Sequence, residues 1–175
     1  MSNGAPGMAL HVALVHHPVR NRHGETVATA VTNLDLHDLA RSGRTYDVVT
    51  TWIVTPLEQQ RSLVQRIVTH WQQGEGQTYN PIRARAFERV RLVESIETLI
   101  EIMKSEGGEP PIVVGTGANL PEPGTDTTGH TTEILDKICS FEACRDRLET
   151  DQGAMLLLFG TGWGLVDEVL TACDR

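Results

Sequence analysis

The chain has 175 residues and a mass of 19.3 kDa, enough for one compact domain with a sizeable core. Hydrophobic residues make up 39% and charged residues 22%, ordinary for a globular protein, and no apolar run approaches the length of a membrane-spanning helix. A net charge of −8 excludes a surface that is cationic everywhere, so any contact with nucleic acid has to come from a local patch.

Residues 1–10 are rich in Gly, Pro and Ala, with neither a basic start nor a long apolar stretch. Residues 1–8 therefore read as a flexible extension and not a signal peptide, ahead of a single domain over 9–175. Cys139, Cys144 and Cys173 fit no Cys-x-x-Cys spacing, which implies structural thiols in a reduced, cytoplasmic protein.

Residues 10–15 form an apolar run of strand length, ended by His16, His17 and Pro18. Asn21 to Gly24 is a turn signal, and residues 26–31 alternate polar and β-branched side chains. Thr32 caps a helix that runs to about Arg44: its hydroxyl suits the N–H of Asp35, whose charge suits the first turn. Residues 47–54 are a second core strand, closed by Thr55 and Pro56. Leu57, Leu63, Val64, Ile67, Val68 and Trp71 then recur at i+3/i+4 spacing, the clearest amphipathic helix, ending at Gly74. A loop over 74–81 leads to a short helix over 82–88 and a strand over 90–93. Ser95 caps a helix through Ile96, Leu99, Ile100 and Met103, and residues 111–116 are another buried strand. A Pro- and Gly-rich loop from Gly117 to Gly129 precedes a helix that starts at Thr131 or Thr132 and reaches about Cys139. Residues 154–159 read as a strand buried on both faces, with Leu165, Val166, Val169 and Leu170 at helical spacing behind it. Alternating strands and helices predict a mostly parallel α/β sheet with helices on both faces.

Between that last strand and helix, Gly160-Thr-Gly-Trp-Gly164 exposes backbone N–H groups at the carboxyl edge of the sheet, where α/β proteins bind ligands. No lysine follows, so the turn is not a phosphate-cradling P-loop, and the spacing is not that of a dinucleotide fingerprint. Spacing leaves two readings open: a wall for a ligand, or a tight turn that lets strand and helix pack.

At about 100° per residue, Asn33, His37, Arg41 and Arg44 share one stripe of the first helix, opposite Leu36, Leu39, Ala40 and Gly43. Amide, imidazole and guanidinium groups in a row suit phosphates and base edges, although a solvated helix face has the same pattern. Arg83, Arg85, Arg89 and Arg91, with Arg20 and Arg22, could add to a basic surface if they share a face. Of the histidines His11, His16, His17 and His23, none forms a His-x-x-x-His helix pair with a carboxylate partner, so no metal site is expected. No Gly-x-Ser-x-Gly elbow is present, which argues against an α/β-hydrolase.

The segments LVHHPV at 14–19, TNLDLHDLAR at 32–41, RTY at 44–46, IVTPL at 53–57, HW at 70–71, YNP at 79–81 and LLLFGTGWGL at 156–165 are read together. In combination they resemble the small bacterial SPOUT-type S-adenosylmethionine-dependent RNA methyltransferases over nearly the whole chain. The resemblance implies a SPOUT-like parallel α/β sheet whose C-terminal part forms a trefoil knot, and a cytoplasmic homodimer. It further implies S-adenosyl-L-methionine as cofactor and tRNA or rRNA as substrate, with no membrane or metal partner. It makes Leu158, Phe159, Gly160, Thr161, Gly162, Trp163 and Gly164 one wall of the adenosyl pocket, and Thr116 and Gly117 another. An uncharged adenosine accounts for the missing lysine.

The resemblance also assigns Asn33 and Arg41 to RNA, and the stripe adds His37 and Arg44 as RNA-binding candidates. Arg41 would orient a phosphate or the acceptor nucleotide, and Asp38 or Asp35 is the candidate base, Asp35 having a competing helix-start role. Two departures stand out. Relatives continue with a Tyr-Asn-His-Leu-Ser-Val-Arg-Ser-like segment that threads the knot and closes the pocket, whereas this sequence reaches Arg175 without it. GTGAN at 115–119 stands where Ala-Thr-Ser-Ala-Arg is expected, so a cationic contact is expected to be lost. The alternative to an enzyme is a non-catalytic RNA-binding or dimeric scaffold that keeps the fold with an incomplete pocket.

Overall fold

The computed structural model describes residues 7–118, 120 and 132–175. The first six residues of the expected extension, Asn119, most of the Pro-rich loop and Thr131 as a helix start lie outside the described residues. In chain order the first half contains β1 (Ala9–Val15), β2 (Val19–Arg20), β3 (Thr26–Val27), α1 (Asn33–Thr45), β4 (Thr50–Val54), α2 (Glu58–Gln73), α3 (Glu75–Tyr79) and α4 (Pro81–Phe87). The second half contains β5 (Val90–Val93), α5 (Ile96–Gly107), β6 (Ile112–Thr116), α6 (Thr132–Leu135), α7 (Phe141–Thr150), β7 (Ala154–Gly160) and α8 (Asp167–Ala172).

Five strands form one parallel sheet in the order β5-β4-β1-β7-β6, and β2 and β3 make a small antiparallel pair. This is the expected α/β class. The period-2 side-chain alternation of strands sorts the core into two layers. Ala13, Val15, Trp52, Val54, Val93, Val113, Leu156 and Leu158 pack on one face against Ile96, Leu99 and Met103 of α5, Ile134 of α6 and Leu170 of α8. On the other face Ile53 and Val90 meet Leu36 and Ala40 of α1, Val64, Val68 and Trp71 of α2, and Ala86 and Phe87 of α4. Val114 and Met155 on that face are covered by Met8, Cys144 and Leu148.

The expected caps are present. The Thr32 hydroxyl accepts from the Asp35 N–H while the Asp35 carboxylate accepts from the Thr32 N–H, and Ser95 caps α5 through Thr98. Helix α2 ends at Gly74 as its pattern predicts, but Leu57 sits ahead of it, exposed. The run 26–31 is a strand only over Thr26–Val27, because the Thr29 N–H turns back to the His16 carbonyl instead of joining a neighbouring strand. The stretch read as loop over 74–81 holds the short helix α3. The expected helix to Cys139 stops at Leu135, and a second helix, α7, follows it.

Strand order fixes where a ligand can enter. From β1 the chain crosses to β4 on one side, while β6 and β7 lie on the other. The carboxyl ends of β1 and β7 therefore flank the switch point of the sheet, where the crevice of open α/β folds opens. Beyond α8 the chain returns to β6: the Asp174 N–H donates to the Val113 carbonyl, the Gly115 N–H donates to the Arg175 carbonyl, and the Asp174 carboxylate accepts from the Val113 N–H. Residues 121–131 of the C-terminal part, in which the knot is expected, lie outside the described residues.

Candidate cofactor pocket and RNA surface

The glycine turn sits at the switch point and is held on two sides. The Thr161 N–H and hydroxyl both donate to the Val15 carbonyl at the end of β1, each at 3.0 Å. The Trp163 N–H donates to the Arg20 carbonyl at 2.9 Å, and the Arg20 N–H donates to the Gly164 carbonyl at 2.9 Å. The Arg20 guanidinium pairs with Asp167 at the start of α8.

These contacts explain two of the three glycines from inside the chain. A Cβ on Gly160 would lie 2.4 Å from the Leu165 nitrogen. At Gly162 the backbone has φ +61° and a Cβ would lie 2.8 Å from the Arg20 carbonyl oxygen. Gly164 differs: φ is +97° and nothing stands within 4 Å of where its Cβ would be.

Around the turn, Trp163 is 63% exposed and Phe159 38% exposed. Leu158 is fully buried, so only its backbone faces the edge, where its carbonyl accepts from the Thr116 hydroxyl at 2.9 Å. Thr116 ends β6 beside β7, and Gly117, which follows, packs toward Leu120. The residues fit an adenosyl group: bare backbone at Gly164 admits close approach, and two exposed aromatic faces suit an uncharged purine.

Beneath the turn lies a polar chain that the sequence did not announce. His16 is fully buried, and its Nδ1 meets the Thr29 hydroxyl at 3.0 Å. Thr29 in turn meets the Thr161 hydroxyl at 2.5 Å. Burial lowers the His16 pKa below the ordinary histidine value, with Asp35 opposing, so the ring is neutral.

On α1, Leu36, Ala40 and Gly43 are buried and Asn33, Arg41 and Arg44 are exposed, as the stripe requires. His37 is half-buried, edge-on to Trp71 at 5.4 Å and Phe87 at 4.9 Å. Its pKa is lowered first by burial, then by Arg83. Asn33 and His37 line a groove of about 460 Å³ with Leu63, Arg66, Ile67, His70 and Trp71 of α2. Arg83 lies over the Trp71 ring at 5.0 Å, so Arg41, Arg66 and Arg83 make this wall cationic. Arg66 was not singled out by sequence, and His70 only within the HW segment and without a role, because nothing in α2 alone shows that it faces the α1 stripe.

The other arginines do not gather into one free surface. Arg20 is paired with Asp167, Arg89 with Asp47, and Arg91 with Glu106 while lying over Trp52. Asp38 is exposed and stands 3.9 Å from Arg41. Among the described residues, no hydrogen bond or ion pair joins Arg41, Arg44 or Asp38 to the glycine turn. No cluster of three or more metal-ligating side chains occurs among the described residues.

The fold is an α/β parallel sheet with a glycine turn at its switch point, and a groove between α1 and α2 carries cationic side chains. The chain belongs to the SAM-dependent RNA methyltransferase family, whose sequence profile matches residues 9–175. It is 37% identical over 174 residues to a tRNA (guanine-N(1)-)-methyltransferase of Nitratidesulfovibrio vulgaris, covering 99% of this chain and 37% of that protein. A protein of the same name from Oleidesulfovibrio alaskensis is 38% identical over 169 residues, covering 97% of this chain and 36% of its own length. An uncharacterized protein of Aquifex aeolicus is 31% identical over 163 residues, which are 93% of this chain and 73% of that one. The chain thus spans little more than a third of the two tRNA methyltransferases it matches.

Proposed function

We propose that this chain transfers a methyl group from S-adenosylmethionine to RNA, with tRNA the substrate class its named relatives favour, and that it works as a cytoplasmic homodimer. The observation that carries the reading is the open turn at Gly164 between the exposed Trp163 and Phe159, placed at the switch point of a chain that matches this family. When bound, the cofactor supplies an electrophilic methyl group.

Trp163 and Phe159 would cover the adenosine, with Gly164 admitting the ligand to the backbone. Gly160, Thr161 and Gly162 keep the turn in shape, Leu158 contributes its backbone, and Thr116 and Gly117 form the facing wall. Asn33, His37, Arg41 and Arg44, joined by Arg66 and His70, would hold the RNA through phosphates and base edges. Arg41 orients the acceptor nucleotide, and the exposed Asp38 is the group able to take a proton from it. Alignment of acceptor and methyl group supplies much of the rate in such a transfer.

The test uses the full chain with S-adenosylmethionine carrying a labelled methyl group and, separately, tRNA and rRNA from a strain lacking the protein. Label appearing in the tRNA fraction, with calorimetric binding of the cofactor, supports the reading. RNA binding without any cofactor binding would overturn it in favour of a scaffold.

A further inference from the structure

His16 closes β1 with no exposed surface, and only one of its two ring nitrogens has a hydrogen-bond partner among the described residues. The direction of the bonds around it can be worked out from proton supply. The Thr161 hydroxyl has one proton, and it goes to the Val15 carbonyl at 3.0 Å. Thr29 then donates to Thr161 at 2.5 Å in preference to its longer 3.5 Å approach to the His16 carbonyl, which leaves Thr29 only an oxygen lone pair to offer His16. Nδ1 of His16 therefore carries the proton, and Nε2 is a buried lone pair without a donor. Reversing every bond would instead bury an unpaired Nε2–H, the rarer and costlier orphan.

The backbone does not need this chain of hydroxyls as a tether. The Thr29 N–H already donates to the His16 carbonyl at 2.8 Å, and the Thr161 N–H to the Val15 carbonyl. What the side chains add is orientation. They turn the Thr161 hydroxyl into β1, so that the turn presents backbone and aromatic faces outward. Thr29 also lies three residues before the Thr32 cap of α1, so the same relay ties the start of the RNA-facing helix to the turn.

We propose that His16 is a positioning residue for the cofactor turn, acting through Thr29 on Thr161 and setting that turn in register with α1. The proposal rests on the reading of the turn as a cofactor wall. A buried imidazole with one unpaired nitrogen detracts from stability, so what His16 adds here is placement.

Nitrogen NMR of the full-length protein reads the relay without any ligand. The Nδ1–H tautomer is expected at His16, and Thr29→Val, which keeps shape but removes the hydroxyl, is expected to shift the Thr161 and Gly162 amides. An Nε2–H tautomer would overturn the relay. Calorimetry with S-adenosylmethionine then reads its consequence: Thr29→Val and His16→Leu should weaken binding roughly tenfold, about what one well-made hydrogen bond contributes. His16→Asn, whose amide can stand in for Nδ1–H, should bind nearly as the native chain at a native melting temperature, whereas Thr29→Val, which leaves the buried Nδ1–H without an acceptor, should stay folded with a lowered melting temperature. Native affinity in Thr29→Val overturns the proposal. No binding by the native chain, with the expected tautomer observed, instead removes the cofactor reading and the positioning role with it.

Discussion

Gly162 and Gly164 look alike in the sequence, yet the fold makes different demands on them. At Gly162, φ of +61° combines with the Arg20 carbonyl 2.8 Å from a Cβ, so Gly162→Ala is expected to cost roughly 1–3 kcal/mol in denaturant unfolding. Gly164→Ala meets no neighbour and should cost only the strain of its φ, about 1 kcal/mol, while closing the space that the proposed cofactor would use. Gly107, in the last turn of α5 with open space around it, is the contrast: Gly107→Ala should gain about 0.5 kcal/mol from helix propensity. Histidines give a second signature at this scale. Burial holds His11, His16 and His37 below the ordinary value, so the unfolded chain binds more protons than the native one as pH falls. Stability is therefore complete above the unfolded value of 6.5 and lost as pH drops from there toward the lowered native values. A series of melting curves from pH 7.5 to 5.5 should show a falling midpoint; a flat series would contradict the buried neutral rings.

Helix α1 carries a structural signal and the proposed RNA-binding stripe, and substitution separates them. Thr32→Ala removes the capping box and is expected to cost about 1 kcal/mol. Arg41→Ala removes an exposed guanidinium, so the melting temperature should hold while RNA affinity falls and its salt dependence becomes shallower by about one phosphate contact. A large drop in melting temperature would make Arg41 structural. The helices α1, α2 and α5 were legible in the sequence because apolar residues recur on one face behind a cap or a glycine stop. Helix α7 was not: it has no fully buried residue, and only Ser140, whose hydroxyl accepts from the Ala143 N–H, marks its start. The site was legible in the same uneven way. The glycine turn announced itself by composition, but the threonine that supports it, Thr29, is 132 residues from Thr161 and reads locally as part of a strand. Pairings of that separation leave no local pattern.

At the scale of the whole molecule, the sheet is a partition between two apolar layers, and its centre is the strand pair β1 and β7. Leu156, fully buried there, ties α5, α6 and α8 to the sheet; Leu156→Ala is expected to cost about 2–5 kcal/mol in one cooperative transition. In a chain of net charge −8, the cationic wall of this groove is where the proposed contact with RNA would be favoured electrically. The outer strands of the sheet carry a different consequence. An outer strand offers a row of unpaired backbone groups on which a second molecule can template itself. Along β6 that row is met by Asp174 and Arg175, which use the Val113 carbonyl, the Val113 N–H and the Gly115 N–H. Along β5 the exposed span is four residues long and bears the charged Arg91. Both margins are thereby poor seeds for fibril growth, and the protein should remain dispersed at concentrations where an uncapped parallel sheet would begin to stack.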